Sequence, residues 1–277
     1  MDKLNVEAWV GREGRDASSV TGFQAQKIHA TVGKGAAPKS GDPLPPLWHW
    51  CAFTPTETID ALGVDGHVRG SELLPPIHLP RRMWAGGSLT FHRSLHVGEH
   101  LERSTRIRSV VEKQGKTGPM VLVTLDHFIH GAQGLAIEER QDIVYLQIPE
   151  TYKPPPKKSL PADPQERIEM LETLLFRYSA ITFNAHRIHY DLSYAQKVEK
   201  YPGLVVHGPL QATYLMRTAT RHKGRTPFYF DFRSVHPMFA GTTCEIAVQE
   251  DDEGLALWTG QDGHQCMQAR AVWEETQ

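Results

Sequence analysis

An α+β fold assembled from two copies of one antiparallel unit is what this sequence predicts, and three observations predict it. Two stretches, Leu101 to Leu146 and Thr242 to Trp273, alternate β-branched and polar residues between turn-forming breaks. A short match, Phe91-His92-Arg93-Ser94-Leu95-His96 against Phe232-Arg233-Ser234-Val235-His236, leads into each stretch, with a period of about 140 residues from Arg93 to Arg233. One segment, from His207-Gly208-Pro209 to Lys223-Gly224, has proline in its first turn and glycine just past its end, the punctuation of a helix of about 14 residues.

The elements follow in order. Residues Met1 to Glu7 carry acids where a leader would carry basic and apolar runs, so export is not expected and a cytoplasmic chain is. Where the first copy should hold its long helix, Pro75, Pro76, Pro80, Gly86 and Gly87 forbid one, so this copy is expected to lack it and to keep a cavity in its place. Breaks at Gln114-Gly115-Lys116-Thr117-Gly118 and Gly131-Ala132-Gln133-Gly134 divide the first meander into three strands. Lys153-Pro154-Pro155-Pro156-Lys157-Lys158, with Pro161 and Pro164 after it, reads as a stiff polyproline spacer. The expected division is therefore a degenerate unit at 1–150, a linker at 151–162 and a complete unit at 163–277. Asp163-Pro164-Gln165-Glu166 looks like an N-cap, an N1 proline and an N3 glutamate, opening a helix through Ile168, Leu171, Leu174 and Leu175 to near Tyr178. Leu210, Tyr214, Leu215 and Ala219 form one apolar face of the helix that starts at Gly208. The second meander breaks at Asp251-Asp252-Glu253-Gly254 and Gln261-Asp262-Gly263.

Composition narrows the function. Thirty basic against 32 acidic residues leave a net charge of −2, too weak a field to recruit nucleic acid or an anionic membrane. No apolar run approaches the roughly 20 residues a bilayer helix needs. Three cysteines without C-x-x-C spacing argue for reduced thiols rather than disulfides or a cysteine zinc site. His96-Val97-Gly98-Glu99-His100 has the H-x-x-E-H spacing, but Gly98 and the strand that follows deny it the helix such a zinc site needs. His127 and His130 lie three apart in a strand and face opposite sides. Gly33-Lys34-Gly35 lacks the rest of a phosphate-binding loop. No metal or cofactor is expected.

The chemistry concentrates in Arg177 to Ala195, which holds two histidines, an amide, a carboxylate, two arginines and three tyrosines around a short apolar run. Downstream, Tyr201 to Gly208 delivers the chain onto a helix N-terminus, where free N–H groups and the dipole favour an oxyanion. Asn184-Ala185-His186-Arg187-Ile188-His189-Tyr190-Asp191-Leu192-Ser193-Tyr194-Ala195, followed by His207-Gly208, resembles the signature of the MaoC-like (R)-specific enoyl-CoA hydratases and dehydratases. With Pro80-Arg81-Arg82-Met83-Trp84-Ala85-Gly86-Gly87, it is similar to the fused double hot dog subgroup of itaconyl-CoA and mesaconyl-CoA hydratases and mitochondrial-type hydroxyacyl-thioester dehydratases. The resemblance runs from about Pro45 onward. It implies a double hot dog, two antiparallel sheets each around a central helix, the first copy without its long helix.

It also implies an enzyme that hydrates an α,β-unsaturated acyl-CoA, and within the subgroup a short branched dicarboxylic one such as itaconyl-CoA or mesaconyl-CoA, giving citramalyl-CoA. Dehydration of a 3-hydroxyacyl thioester is the nearest alternative, a thioesterase or a non-catalytic acyl-CoA-binding module the more distant ones. His189 is assigned the water proton because imidazole titrates near working pH. The Gly208 N–H is assigned the thioester carbonyl. Asn184 stands where the wider group has an aspartate and cannot exchange a proton, so it is expected to orient water. Asp191 is expected to orient His189. Arg81, Arg82 and Arg187 are candidates for coenzyme A phosphates or a substrate carboxylate. Trp84, His186, Tyr194 and His207 complete the expected substrate pocket. Further pairing of chains through sheet edges is expected.

Overall fold

The computed structural model describes residues 6–115 and 118–274; the acidic start at 1–5 and the centre of the first break, Lys116 and Thr117, lie outside the described residues. Ten strands form one continuous sheet. The first half contributes β1 (Glu13–Ser18), β2 (Arg81–Phe91), β3 (Leu101–Gly115), β4 (Gly118–Gly131) and β5 (Gly134–Leu146), in spatial order β1-β3-β4-β5-β2. The second contributes β6 (Pro164–Glu169), β7 (Tyr229–Ser234), β8 (Thr243–Asp251), β9 (Gly254–Gln261) and β10 (His264–Val272), in the mirrored order β7-β10-β9-β8-β6. The helices are α1 (Gly22–Val32), α2 (Glu172–Ile181), α3 (Leu192–Lys197) and α4 (Gly208–Lys223). This is the double hot dog, its two expected sheets joined edge to edge by antiparallel pairing of β2 with β7.

The seam is nearly symmetric. Its register runs Gly86↔Arg233 to Thr90↔Tyr229 with Ser88↔Asp231 at the centre. Ser88 and Asp231 are 143 residues apart, as are Gly98 and Gly241, both at positive φ, and His96 and Phe239, each in a lone β-bridge. The structural period is thus 143, which corrects the alignment of Arg93 with Arg233. Arg93 follows the end of β2, whereas Arg233 and Ser234 lie inside β7.

Both meanders and α4 form where their turn residues place them, α4 running 16 residues to the left-handed Gly224. The helix expected from Asp163 does not form there. Pro164–Glu169 is the edge strand β6, its side chains alternating inward and outward against β8, and the helix begins only at Glu172. Leu171, expected inside it, is the N-cap. Glu166 makes the difference visible: its side chain is clamped by Lys34 (2.6 Å), Arg217 (2.6 Å) and Arg221 (3.0 Å), not turned back onto a helix end.

α4 is buried on almost every side through its first three turns, with Leu210, Leu215 and Ala219 fully enclosed. Between α1 and β2 the chain has only two short 3-10 turns, Trp48–Cys51 and Ile59–Ala61. The first half therefore lacks the long helix, but its place is filled. Trp48, His49 and Cys51 are buried there, and Glu139 on β5 accepts hydrogen bonds from His49 Nε2 and Trp50 Nε1, both at 3.0 Å. What stays open is a cavity of about 340 Å³ beside this turn, bordered by Leu44, His49, Phe91, Phe228 and Trp273. One apolar core joins Ile28 and Trp48 of the first half to Leu175 and Leu210 of the second. The proline-rich segment is stitched down at both ends, by Tyr152 against Tyr201 and Phe239 and by a Ser159↔His264 bridge. Among the described residues no helix is long and apolar enough to cross a membrane.

Candidate active site

Between α2 and α4 the chain makes two tight bends before it can present a side chain. Phe183 sits at φ 49°, and the Asn184 side-chain oxygen accepts the His186 N–H at 2.9 Å, an Asx turn that starts the 3-10 turn Arg187–His189. Asp191 then caps α3 by accepting the Tyr194 N–H at 2.9 Å. The returning strand-like segment places the Val205 carbonyl 2.7 Å from His189 Nδ1. A carbonyl only accepts, so Nδ1 carries the proton and donates, and the Nε2 lone pair is left for chemistry.

His189 stacks on His207, ring centroids 3.6 Å apart at 19°, and His207 is the N-cap of α4. Pro209 has no N–H, so Gly208 and Leu210 carry the donors that this helix end leaves unpaired. His207 is in turn fixed by Ser179 of α2, 2.9 Å from its Nε2. The base candidate and the donor candidate are therefore neighbours on one rigid stack. Burial pushes His189 down to about 4 against the small opposing pull of the Val205 carbonyl, and it drives His186 and His207 well below the ordinary imidazole range. All three rings are neutral at pH 7, which revises the expectation of an imidazole poised near that pH.

Two residues that sequence reasoning missed complete the cluster. A loop of the first half lays Asp65-Gly66-His67 on the motif: Arg187 N–H donates to the Asp65 carbonyl at 2.9 Å, and the Arg187 guanidinium to the Val64 carbonyl at 2.9 Å. Gly66 is at φ 90°, and a β-carbon there would collide with the Ala185 carbonyl oxygen. The Asp65 carboxylate accepts from His67 Nδ1 at 2.9 Å, and the His67 ring lies 4.2 Å from that of His186, whose own ring is 5.4 Å from His189. The available signal was an Asp-Gly-His between turn residues, a spacing that closes an Asx turn but names no partner. Donor atoms of Asp65, His67 and His186 lie within 4.8 Å of one another, as do those of His236, His264 and Cys266 elsewhere in the second half.

Three sequence expectations change. Asp191 does not orient His189: its carboxylate is spent on the Tyr194 N–H and on Arg187, 2.7 and 3.1 Å away. Arg81 is buried and paired with Glu199 at 2.7 Å while lying over Tyr201, so it holds the fold together beneath the site instead of presenting a free cation. Arg187 spans Asp191, the Val64 carbonyl and the Tyr194 ring. Arg82, over Tyr145, has no carboxylate partner among the described residues, and its charge adds to those that keep His186 neutral. Tyr194 is buried beneath Arg187, its hydroxyl pushed up to about 12 by burial. Trp84 packs edge-on to Trp50 at 4.9 Å, and its carbonyl stands close to the Gly208 end of α4.

The chain resembles known proteins in sequence and in fold. The family model of hydroxyacyl-thioester dehydratase type 2 matches residues 47–240. The chain is 40% identical to mesaconyl-C(4)-CoA hydratase of Chloroflexus aurantiacus over 274 residues, 97% of this chain and 98% of that one. A MaoC-like dehydratase from Phytophthora capsici superposes with a TM-score of 0.69 at 13% identity, covering 96% of this chain and 97% of the other. A Mycobacterium tuberculosis protein described as a double hot dog fold superposes with a TM-score of 0.59 at 14% identity, over 95% and 96% of the two chains.

Proposed function

This chain belongs to the hydroxyacyl-thioester dehydratase type 2 family, and from that membership we propose that it adds water reversibly across the α,β double bond of an acyl-CoA thioester, a short branched dicarboxylic one. The observation that carries the reading is the His189–His207 stack at the start of α4, where a lone-pair nitrogen and unpaired N–H donors adjoin.

In this reading the thioester oxygen sits at the Gly208 N–H, which takes up charge as the double bond polarises. His189 Nε2 removes a proton from water as its oxygen bonds to the β carbon, and the π electrons move onto the thioester oxygen as an enolate. The Nδ1–H to the Val205 carbonyl holds the ring in the tautomer this needs and stabilises the imidazolium as it forms. Asn184, anchored through its oxygen, has its amide NH₂ left to hold the water. Protonation at the α carbon completes the addition.

The dicarboxylic preference rests on Arg82, the candidate arginine with no carboxylate partner among the described residues, together with the relative named mesaconyl-C(4)-CoA hydratase. The family description favours one further reading, the reverse elimination from a 3-hydroxyacyl thioester. A panel of dicarboxylic and monocarboxylic enoyl-CoA and 3-hydroxyacyl-CoA thioesters, followed by the ultraviolet absorbance of the conjugated thioester and by free thiol, tests all of this. The expected result is loss of absorbance without thiol release, fastest with a dicarboxylic substrate. Arg82→Gln should raise KM for that substrate roughly 10- to 100-fold and leave a neutral enoyl-CoA unchanged. Equal loss on both substrates would remove the carboxylate-reading role, and thiol release would make the protein a thioesterase.

A further inference from the structure

Hydration needs a proton for the α carbon as well as a base for water; Asn184 stands where the wider group has its acid, and the carboxylate of Asp191 is taken up by Arg187 and the Tyr194 N–H. The donor must also carry a proton at working pH and regain it from solvent after each turnover. His186, His189 and His207 fail both conditions, being buried at 7% exposure or less and held neutral. The fourth ring of the row differs. The His67 side chain keeps 25% of its surface exposed, and its Nδ1 is 2.9 Å from the Asp65 carboxylate. Burial acts to raise the Asp65 carboxyl, and the His67 contact outweighs it and keeps the group ionised. With Nδ1–H held by Asp65, the proton an imidazolium has left to give is the one on Nε2, the disposition of a general acid.

Resting on the hydratase reading above, we propose that His67, positioned by Asp65, is the acid that protonates the α carbon, so that the first half of the chain delivers the proton donor to a site whose base belongs to the second. The loop is built to hold it there: Gly66 lets the backbone lie against Ala185, and Arg187 ties down both Val64 and Asp65. The enolate formed by water addition collapses to the thioester, its electron pair takes the proton from His67 Nε2, and His67 is left neutral. The hydroxyl bonds to the β carbon, the water's proton stays on His189 and the α carbon takes the proton of His67, so the substrate gains the elements of one water; His189 returns its proton to the water that enters as the product leaves. Solvent at the exposed edge of His67 restores it.

The test uses the full-length protein with whichever enoyl-CoA the wild type hydrates. His67→Ala should lower kcat roughly 100-fold or more, leave KM within about threefold and keep the wild-type Tm, and added imidazole should restore a measurable part of the lost rate. Asp65→Asn should lower kcat roughly tenfold with no response to imidazole, because the ring is still present but unsupported. If His67→Ala fails to fold, His67→Gln, which can still bond to Asp65, replaces it with the same expected loss. Hydration by either His67 variant within about threefold of wild type would overturn the proposal. So would a loss confined to KM, or removal of wild-type activity by a chelator with recovery on adding zinc, which would make Asp65, His67 and His186 a metal site. A wild type that hydrates no enoyl-CoA would instead remove the hydratase reading itself.

Discussion

Burial keeps His189 a neutral imidazole at working pH. Because burial holds it at about 4, it stays neutral and able to accept a proton down to that pH, and loses this ability only as it protonates below it. The acid limb of kcat/KM should therefore fall near pH 4 instead of near 6.5, and His189→Ala should remove hydration with the fold intact. An acid limb near 6.5 in the wild-type profile would assign the base to another residue. The place of this histidine in the motif was legible because the motif is one continuous segment with its spacing intact. Its environment was not. The Val205 carbonyl is 16 residues away and His207 is 18, and nothing in a spacing says that two imidazoles will stack. Asp191 was misread for the same reason: two residues from His189 in sequence, its nearer partners are a helix N–H and an arginine one turn back.

At the scale of elements, the loop around Gly66 is seated directly on the motif. A methyl group at φ 90° is strained by itself, and here it would also meet the Ala185 carbonyl. Gly66→Ala should consequently lower hydration at least tenfold by lifting residues 65–67 from the motif, while circular dichroism of the sheet stays unchanged. Full activity in that variant would mean that the loop's seating is irrelevant to turnover. Proline and glycine made the meanders and α4 readable, since turn chemistry is local. The same grammar misled at Asp163-Pro164, where a capping pattern lies on an edge strand because pairing with β8 and the pull of three cations on Glu166 decide the conformation. α1 left a signal that was passed over: Thr21 caps it by accepting the Gln24 N–H, and Ala25, Ile28 and Val32 repeat at helical spacing.

Across the whole molecule, Glu166 ties the halves together. It binds Lys34 just past α1 and both Arg217 and Arg221 of α4, while Arg217 also donates to the Val32 carbonyl at 2.8 Å. Glu166→Ala leaves the largely enclosed Arg217 guanidinium without its carboxylate and should cost about 2 kcal/mol, a drop of a few degrees in Tm, with hydration at 25 °C preserved. An unchanged Tm would mean that water replaces the carboxylate at no cost. The two-copy architecture was legible from the repeated meanders. The exact correspondence was not, because five matching residues aligned best three positions away from the true equivalence, which only the β2–β7 register reveals.

That register has a bearing on how the protein can respond to its substrate. A pair of identical units meeting across a two-fold seam would own two equivalent centres, free to influence one another as they fill. Here the seam survives around Ser88 and Asp231, but the histidine segment occurs in one half only. Saturation should then be hyperbolic, with a single acyl chain held per polypeptide. On the proposed reading the first unit has no water to activate, and its loops are left to supply the proton donor and to shape what enters beside the histidine row.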